Sequence, residues 1–256
     1  MFEVRLLTFA YQKAAVLRDV EFSVSRGEMA CLLGANGSGK TTVIKCLNGI
    51  LQPARGEIVL DGMRLDSMKQ REIARYISMV PQEHSMAFAY QVIDVVVMGI
   101  TPYLDFGRMP ADEDYQRALS ILQMLGIEEL AARNYNRCSG GERQLALIAR
   151  SLMQDTSYLV MDEPTSHLDF KNQYLLMMEL KKLSKQGRGI ITALHDPNLA
   201  LKFCDKVIIL KDGQVLASGK TSQVMNSENL QQAYGIDILI NEVKNSVEVS
   251  IPEVAG

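Results

Sequence analysis

No run of apolar residues approaches the ~20 that a bilayer-spanning helix needs, so the sequence predicts a chain that does not itself cross a membrane. It has no Arg-rich transit segment, and no basic start leading into an apolar signal core. The expectation is an intracellular, soluble chain. Cysteine is scarce and scattered: Cys31, Cys46, Cys138 and Cys204 form no CxxC pair, and only three histidines accompany them. That argues against a zinc site or a disulfide framework and for isolated buried thiols in a reducing compartment. Excess basic charge is missing too, with 27 Lys and Arg against 30 Asp and Glu, a net charge of -3 and a pI near 5.7. Nucleic-acid-binding domains usually exceed a pI of ~9, so only a local basic patch stays open. Tryptophan is absent altogether, and no internal repeat or low-complexity linker is found. What remains is ordinary globular stock, 47% apolar and 22% charged in 256 residues. That suffices for one large domain or two small ones with a buried core.

Apolar periodicity divides the chain. Strands are expected at Phe2–Phe9, Phe22–Val24, Met29–Leu33, Glu57–Leu60 and Tyr76–Val80. A helix is expected over Lys40–Leu47, and Asp61-Gly62 reads as a hairpin turn. Ser67-Met68-Lys69-Gln70 has capping-box spacing, predicting a helix that begins there. From about Gln82 to Met153 strand candidates vanish, and Asp112–Leu125 and Glu142–Met153 read as amphipathic helices. Strands return at Tyr158–Met161, Gly189–Ala193 and Lys206–Leu210, with a helix over Phe170–Ser184. A short helix near Glu228–Tyr234 and a strand within Ile236–Val243 close the pattern. The whole is an α/β core interrupted by a helical insert.

Gly34-Ala35-Asn36-Gly37-Ser38-Gly39-Lys40-Thr41 matches G-x-x-x-x-G-K-[ST] between an expected strand and an expected helix. Glycines let the backbone curl so that successive N–H groups face phosphate oxygens. The following helix start adds further donors and positive partial charge. Lys40 supplies a cation for the β- and γ-phosphates, and the Thr41 hydroxyl can ligate magnesium; Thr42 follows in the same turn. Tyr158–Met161 delivers Asp162 and Glu163 to the end of an apolar strand. Asp162 can hold Mg2+ through water, and Glu163 can orient or deprotonate an attacking water. In Cys138-Ser139-Gly140-Gly141-Glu142, Ser139 and Glu142 stand at capping-box spacing before a helix.

The order of these three segments resembles the ATP-binding cassette (ABC) ATPases over nearly all of residues 1–220. The resemblance implies a P-loop NTPase (RecA-like) α/β core with an antiparallel β subdomain and a helical insert. It places the ATPase domain at 1–242: the core with its β subdomain at about 1–82 and 154–220, the helical signature subdomain at about 83–153. Residues 221–256 are a C-terminal extension. The family's LSGGQ signature stands here as CSGGE, in which Cys138 keeps a small apolar residue and Glu142 keeps capping while adding a charge near nucleotide. Tyr11 matches the aromatic that stacks on adenine, with a strand-end core tyrosine as the competing reading. Gln82 matches the glutamine that approaches magnesium and the attacking water. Asp169, in Ser166-His167-Leu168-Asp169, matches the acid that crosses between subunits, and His195 the switch histidine facing the γ-phosphate. His84 and His167 have no match and read as surface residues. Asp196 and Pro197 also read locally as a helix N-cap and first helical position.

The resemblance implies that a second copy completes each site, two chains head-to-tail enclosing two ATP molecules. Three other readings compete. A chromosome or repair cassette would separate phosphate loop and signature by a long coiled coil, whereas only 99 positions separate Lys40 from Ser139. A ribosome-associated cassette would usually carry two nucleotide domains. A small-molecule kinase would need neither signature, Asp169 segment nor His195. Transport fits best. Val97-Met98-Gly99-Ile100-Thr101-Pro102-Tyr103 then resembles the insert of ATPases serving iron–siderophore, haem, cobalamin and other metal-chelate importers, with Ile100 replacing a usual arginine. The run from His195 to Ala200 and Tyr234-Gly235-Ile236 resemble the same group. That group implies two integral membrane permease subunits, an extracytoplasmic substrate-binding protein and no nucleic acid, with the ATPase peripheral on the cytoplasmic face of the membrane. Met86, Ala87, Phe88 and Tyr90 read equally as a groove for a permease helix or as packing within the insert.

Overall fold

The computed structural model describes residues 1–256 except 13, 83–87, 106, 244–245 and 251–256, and gives no side-chain surroundings for 242–243 and 246–247. Two antiparallel strands open the chain, β1 (Phe2–Tyr11) and β2 (Ala14–Val24). β2 starts well before the expected Phe22. Its pairing with β1 shifts register three times, and Leu6 and Asp19 have positive φ. Such bulges break the period-two pattern that marks a strand in sequence. β3 (Met29–Leu33) leads through the glycine-rich turn into α1 (Lys40–Leu47). β4 (Arg55–Leu60) and β5 (Met63–Arg64) form the expected hairpin, with Leu60 opposite Met63.

α2 (Gln70–Tyr76) begins later than the Ser67 spacing predicts. Ser67 lies in a short 3-10 turn, Leu65–Ser67, and its hydroxyl donates to the Arg64 carbonyl at 2.6 Å. The helix start is fixed instead by Glu72, whose carboxylate accepts the Lys69 N–H at 2.7 Å. β6 (Ile77–Val80) follows, then the helical insert: α3 (Val92–Val97), α4 (Asp112–Met124) and α5 (Gly140–Met153). The core resumes with β7 (Tyr158–Asp162), α6 (Phe170–Lys185), β8 (Gly189–Ala193), α7 (Pro197–Phe203), β9 (Lys206–Lys211) and β10 (Gln214–Lys220). α8 (Thr221–Val224), α9 (Ser227–Tyr234) and the hairpin β11 (Leu239–Val243) and β12 (Ser246–Ser250) follow and complete the described elements. Among the described residues no helix is long and apolar enough to cross a membrane.

The strands form two main sheets. One is antiparallel, in the order β2-β1-β4-β5; the other runs β10-β9-β3-β8-β7-β6 and is parallel except for β10. Both faces of the larger sheet are covered, which explains the continuous apolar runs of β3, β7, β8 and β9. Met29, Cys31 and Leu33 enter one core with the insert helices, while Ala30 and Leu32 enter a second core against the antiparallel sheet and α1. Leu159 and Met161 join the first core, Tyr158 and Val160 the second. Each such Leu, Ile, Val or Met contributes roughly 1.5–3 kcal/mol of transfer free energy. The rigid sheet thereby fixes where its strands end. The loops after β3, β6, β7 and β8 all leave its carboxyl edge, where open α/β sheets place their ligands.

Candidate nucleotide site

The turn from β3 into α1 is shaped by glycine. At Gly34, φ is +148° and a Cβ would stand 2.2 Å from the Leu210 carbonyl oxygen. Gly39, the residue before α1, has φ +105° and packs so tightly on Leu17 that a Cβ would fall 2.7 Å from its Cδ2. Only glycine lets the backbone pass both points. Lys40 is 5% exposed, and its ammonium donates to the carbonyls of Gly34 at 2.8 Å and Ala35 at 3.1 Å. Burial lowers its pKa, opposed by the negative charges of Glu163 and Asp162. Ser38 Oγ is buried with no hydrogen-bond partner among the described residues. An orphaned hydroxyl inside a glycine-lined turn, beside a buried ammonium, fits an oxyanion such as phosphate. Asn36 and Gly37 form the outer rim of the turn, where Gly37 has open space around it.

Parallel pairing of β7 with β8 carries two acids to the same edge. Asp162 is 2% exposed, and its Oδ1 accepts the Thr41 hydroxyl at 3.3 Å. Burial raises its pKa, with the Thr41 hydrogen bond opposing. Thr41 Oγ1 and Asp162 are hard oxygen donors from two elements, a combination suited to magnesium. Glu163 is 8% exposed and has φ +52°, a left-handed backbone uncommon for a non-glycine residue. Its carboxylate spans two partners: Oε2 accepts the Gln82 amide at 2.7 Å, and Oε1 lies 2.5 Å from His195 Nε2. Gln82 leaves the end of β6 and His195 follows β8, so the two strands flanking β7 present both side chains to one carboxylate.

The capping box expected at Ser139 is present. Glu142 N–H donates to Ser139 Oγ at 3.3 Å, and Glu142 Oε2 accepts the Ser139 N–H at 2.6 Å. A cleft of about 530 Å³ there is lined by Ser139, Gly140, Gly141, Glu142, His167 and Asp169, among others. A Cβ on Gly141 would stand 2.9 Å from the His167 carbonyl oxygen, so the segment before α6 packs directly on the signature glycines. Asp169 also caps α6 by accepting the Asn172 N–H at 2.8 Å. The expected Asp196 cap of α7 is present too, accepting the Asn198 N–H at 2.8 Å.

The sequence-predicted residues thus fall into two groups. Lys40, Thr41, Asp162, Glu163, Gln82 and His195 converge, with the Gly34–Gly39 turn around Lys40 and Thr42 buried behind it. Ser139, Gly140, Gly141, Glu142 and Asp169 gather in the separate cleft. Tyr11 stands at the end of β1, 46% exposed and edge-on to Phe9, which removes the buried-core alternative for it. Phe88 and Tyr90 are exposed and pack edge to face; His84, Met86 and Ala87 lie outside the described residues. No motif marks Arg133, whose guanidinium meets Glu142 at 3.1 Å. The available signal was the acid in the signature itself, whose charge calls for a counter-ion.

The family model described as "ABC transporter" matches residues 17–166. A Helicobacter pylori protein named as a probable iron chelatin transport ATP-binding protein is 38% identical, over 91% of this chain and 92% of its own length. Among solved structures, a putative metal-chelate type ABC transporter in an inward-facing conformation superposes with a TM-score of 0.83 at 31% identity, covering 97% of this chain and 95% of that one. The dimeric structure of a bacterial ABC transporter cassette gives 0.79 at 29% identity, covering 86% and 99%.

Proposed function

This chain belongs to the ABC transporter family, and from that premise we propose that it is the ATP-hydrolysing subunit of an importer for a metal chelate or related cargo. The observation that carries the reading is the convergence of a phosphate-shaped turn, an oxygen pair and a partnered carboxylate at one sheet edge. The names of the relatives supply the cargo class: iron chelatin for one, a metal chelate for the transporter it superposes on. The ATPase unit is taken as residues 1–242, with 221–256 as its extension.

Gly34 to Gly39 curl round the β- and γ-phosphates, Lys40 leaves its two carbonyls to neutralise them, and Tyr11 offers its exposed ring to adenine. Thr41 and Asp162, with Gln82 close to Glu163, are the residues that would hold Mg2+. Magnesium bound there would withdraw charge from the outer phosphate oxygens. Glu163 takes the proton of the attacking water as its oxygen bonds the γ-phosphorus and ADP leaves. Gln82 and His195 hold the carboxylate in place for that transfer.

Ser139, Gly140, Gly141, Glu142 and Asp169 serve the nucleotide of a second copy, so that two chains head-to-tail share two ATP molecules. ATP closes the pair through its higher affinity for the closed state; loss of the γ-phosphate reopens it. Two permease subunits would convert closure into transport from the cytoplasmic face, with Phe88 and Tyr90 available to them and an external binding protein delivering cargo.

Reconstitution with permease subunits in proteoliposomes tests this. ATP inside should drive accumulation of a ferric chelate, and Lys40→Ala should abolish it. Phosphate transfer to an acceptor other than water, or stimulation by DNA or RNA instead of permease, would contradict the reading.

A further inference from the structure

The family's usual signature ends in glutamine, and here the same position is an ionised acid. Glu142 uses both carboxylate oxygens: Oε2 on the Ser139 N–H at 2.6 Å, and Oε1 on the Arg133 guanidinium at 3.1 Å. The Ser139 N–H, then the Ser139 hydroxyl and Arg133, hold this carboxyl below the usual carboxylate range. It is therefore charged at neutral pH. It lines the cleft in which, on the shared-site reading, the polyphosphate of the partner copy must sit. A bare carboxylate there would repel several negative charges as water leaves.

Arg133 is not a loose surface arginine. Its N–H donates to the Leu130 carbonyl at 2.8 Å, and its own carbonyl accepts the Val92 N–H at 2.9 Å. The neighbouring residue, Asn134, bridges to Gln91. Its backbone is thus clamped between the start of α3 and the segment leading to the signature, which aims the side chain at Glu142. The pair is exposed in the single chain, with side chains 48% and 30% accessible. Exposed pairs of that kind contribute little to folding, so stability does not account for the arrangement. Closure of the dimer would change that, because burial strengthens whatever charge interaction remains.

We infer that Arg133 is a positioning and charge-compensating residue for ATP-driven closure, cancelling the acid that Glu142 brings to the signature face. It touches no reacting atom; it acts through Glu142, keeping that side chain on Ser139 and off the incoming phosphates. The inference rests on the shared-site reading above and can fail without it.

The test follows ATP-driven dimerisation by sedimentation in a Glu163→Gln parent with magnesium. Adding Arg133→Gln should raise the ATP concentration for half-maximal dimerisation about tenfold, within the usual range of coupling between sites. Arg133→Lys should stay near the parent, and adding Glu142→Gln to the Arg133→Gln chain should restore most of the loss. A purely structural arginine would give no such charge-selective rescue. The inference is overturned if Arg133→Gln matches the parent, if Arg133→Lys is as impaired as Arg133→Gln, or if the double change rescues nothing. If the parent itself stays monomeric at saturating ATP, the shared-site reading fails and takes this inference with it.

Discussion

Lys40→Ala weakens nucleotide binding by roughly 30- to several-thousand-fold, the equivalent of about 2–5 kcal/mol for removing one partner of a buried charge pair. The apo protein stays folded. Lys40 is held at 5% exposure by two backbone carbonyls alone, and burial disfavours its charge, so its loss removes a desolvation cost along with two hydrogen bonds. Binding is a different matter. Among the described residues the Lys40 ammonium is the side-chain cation that bonds the carbonyls of Gly34 and Ala35, and a triphosphate arriving in that turn needs it in full. Calorimetric titration with ATP, alongside a thermal melt of the free chain, separates the two effects. An unchanged ATP affinity in a folded variant would show that the turn binds something else.

Glu163→Gln acts on the opposite half of the cycle. The substitution keeps the shape and one of the two acceptor oxygens that face Gln82 at 2.7 Å and His195 at 2.5 Å. It removes the ability to accept a proton. Loss of a general base costs about 10²–10⁴-fold in turnover, whereas ATP affinity should stay within about threefold of the parent, because the phosphate turn is untouched. Bound but unhydrolysed ATP then holds pairs closed, and dimers accumulate. Rapid-quench hydrolysis and sedimentation under ATP and magnesium read the two quantities. Unimpaired turnover would remove Glu163 from the chemistry.

Much of this was legible in sequence because it is local. The turn at Gly34–Thr41, the capping box at Ser139, the N-cap at Asp196, and the buried strands β3, β7, β8 and β9 are each specified within a dozen residues. The misses arise where the local signal is misleading, weak or absent. α3 is built from Val-Ile-Asp-Val-Val-Val, a β-branched run with strand propensity, and becomes helical because its valines fill the insert core. β10 is an edge strand, half-exposed along its length, and lacks the alternation of a strand with one dry face. β12 is held by a tertiary contact: Asn198 of α7 bonds the backbone of Val249 in both directions, at 2.7 Å and 3.3 Å. At the site, residue types were readable but their pairing was not. Gln82 reaches Glu163 across 81 positions, and the charge of Glu142 calls for a counter-ion without showing which arginine supplies it.

Complementation in trans puts the heaviest load on the account. Lys40→Ala spoils one half of a shared site, and Ser139→Arg spoils the other. Each variant alone can form only pairs with two broken sites. A mixed pair has one site broken twice and one wholly intact, the phosphate turn of the Ser139→Arg chain facing the signature of the Lys40→Ala chain. Mixing the two purified, folded variants should therefore yield ATP hydrolysis well above the sum of their separate rates, peaking near equal proportions. A mixture no more active than its components, while mixed dimers are demonstrably present, would contradict a site shared between two chains.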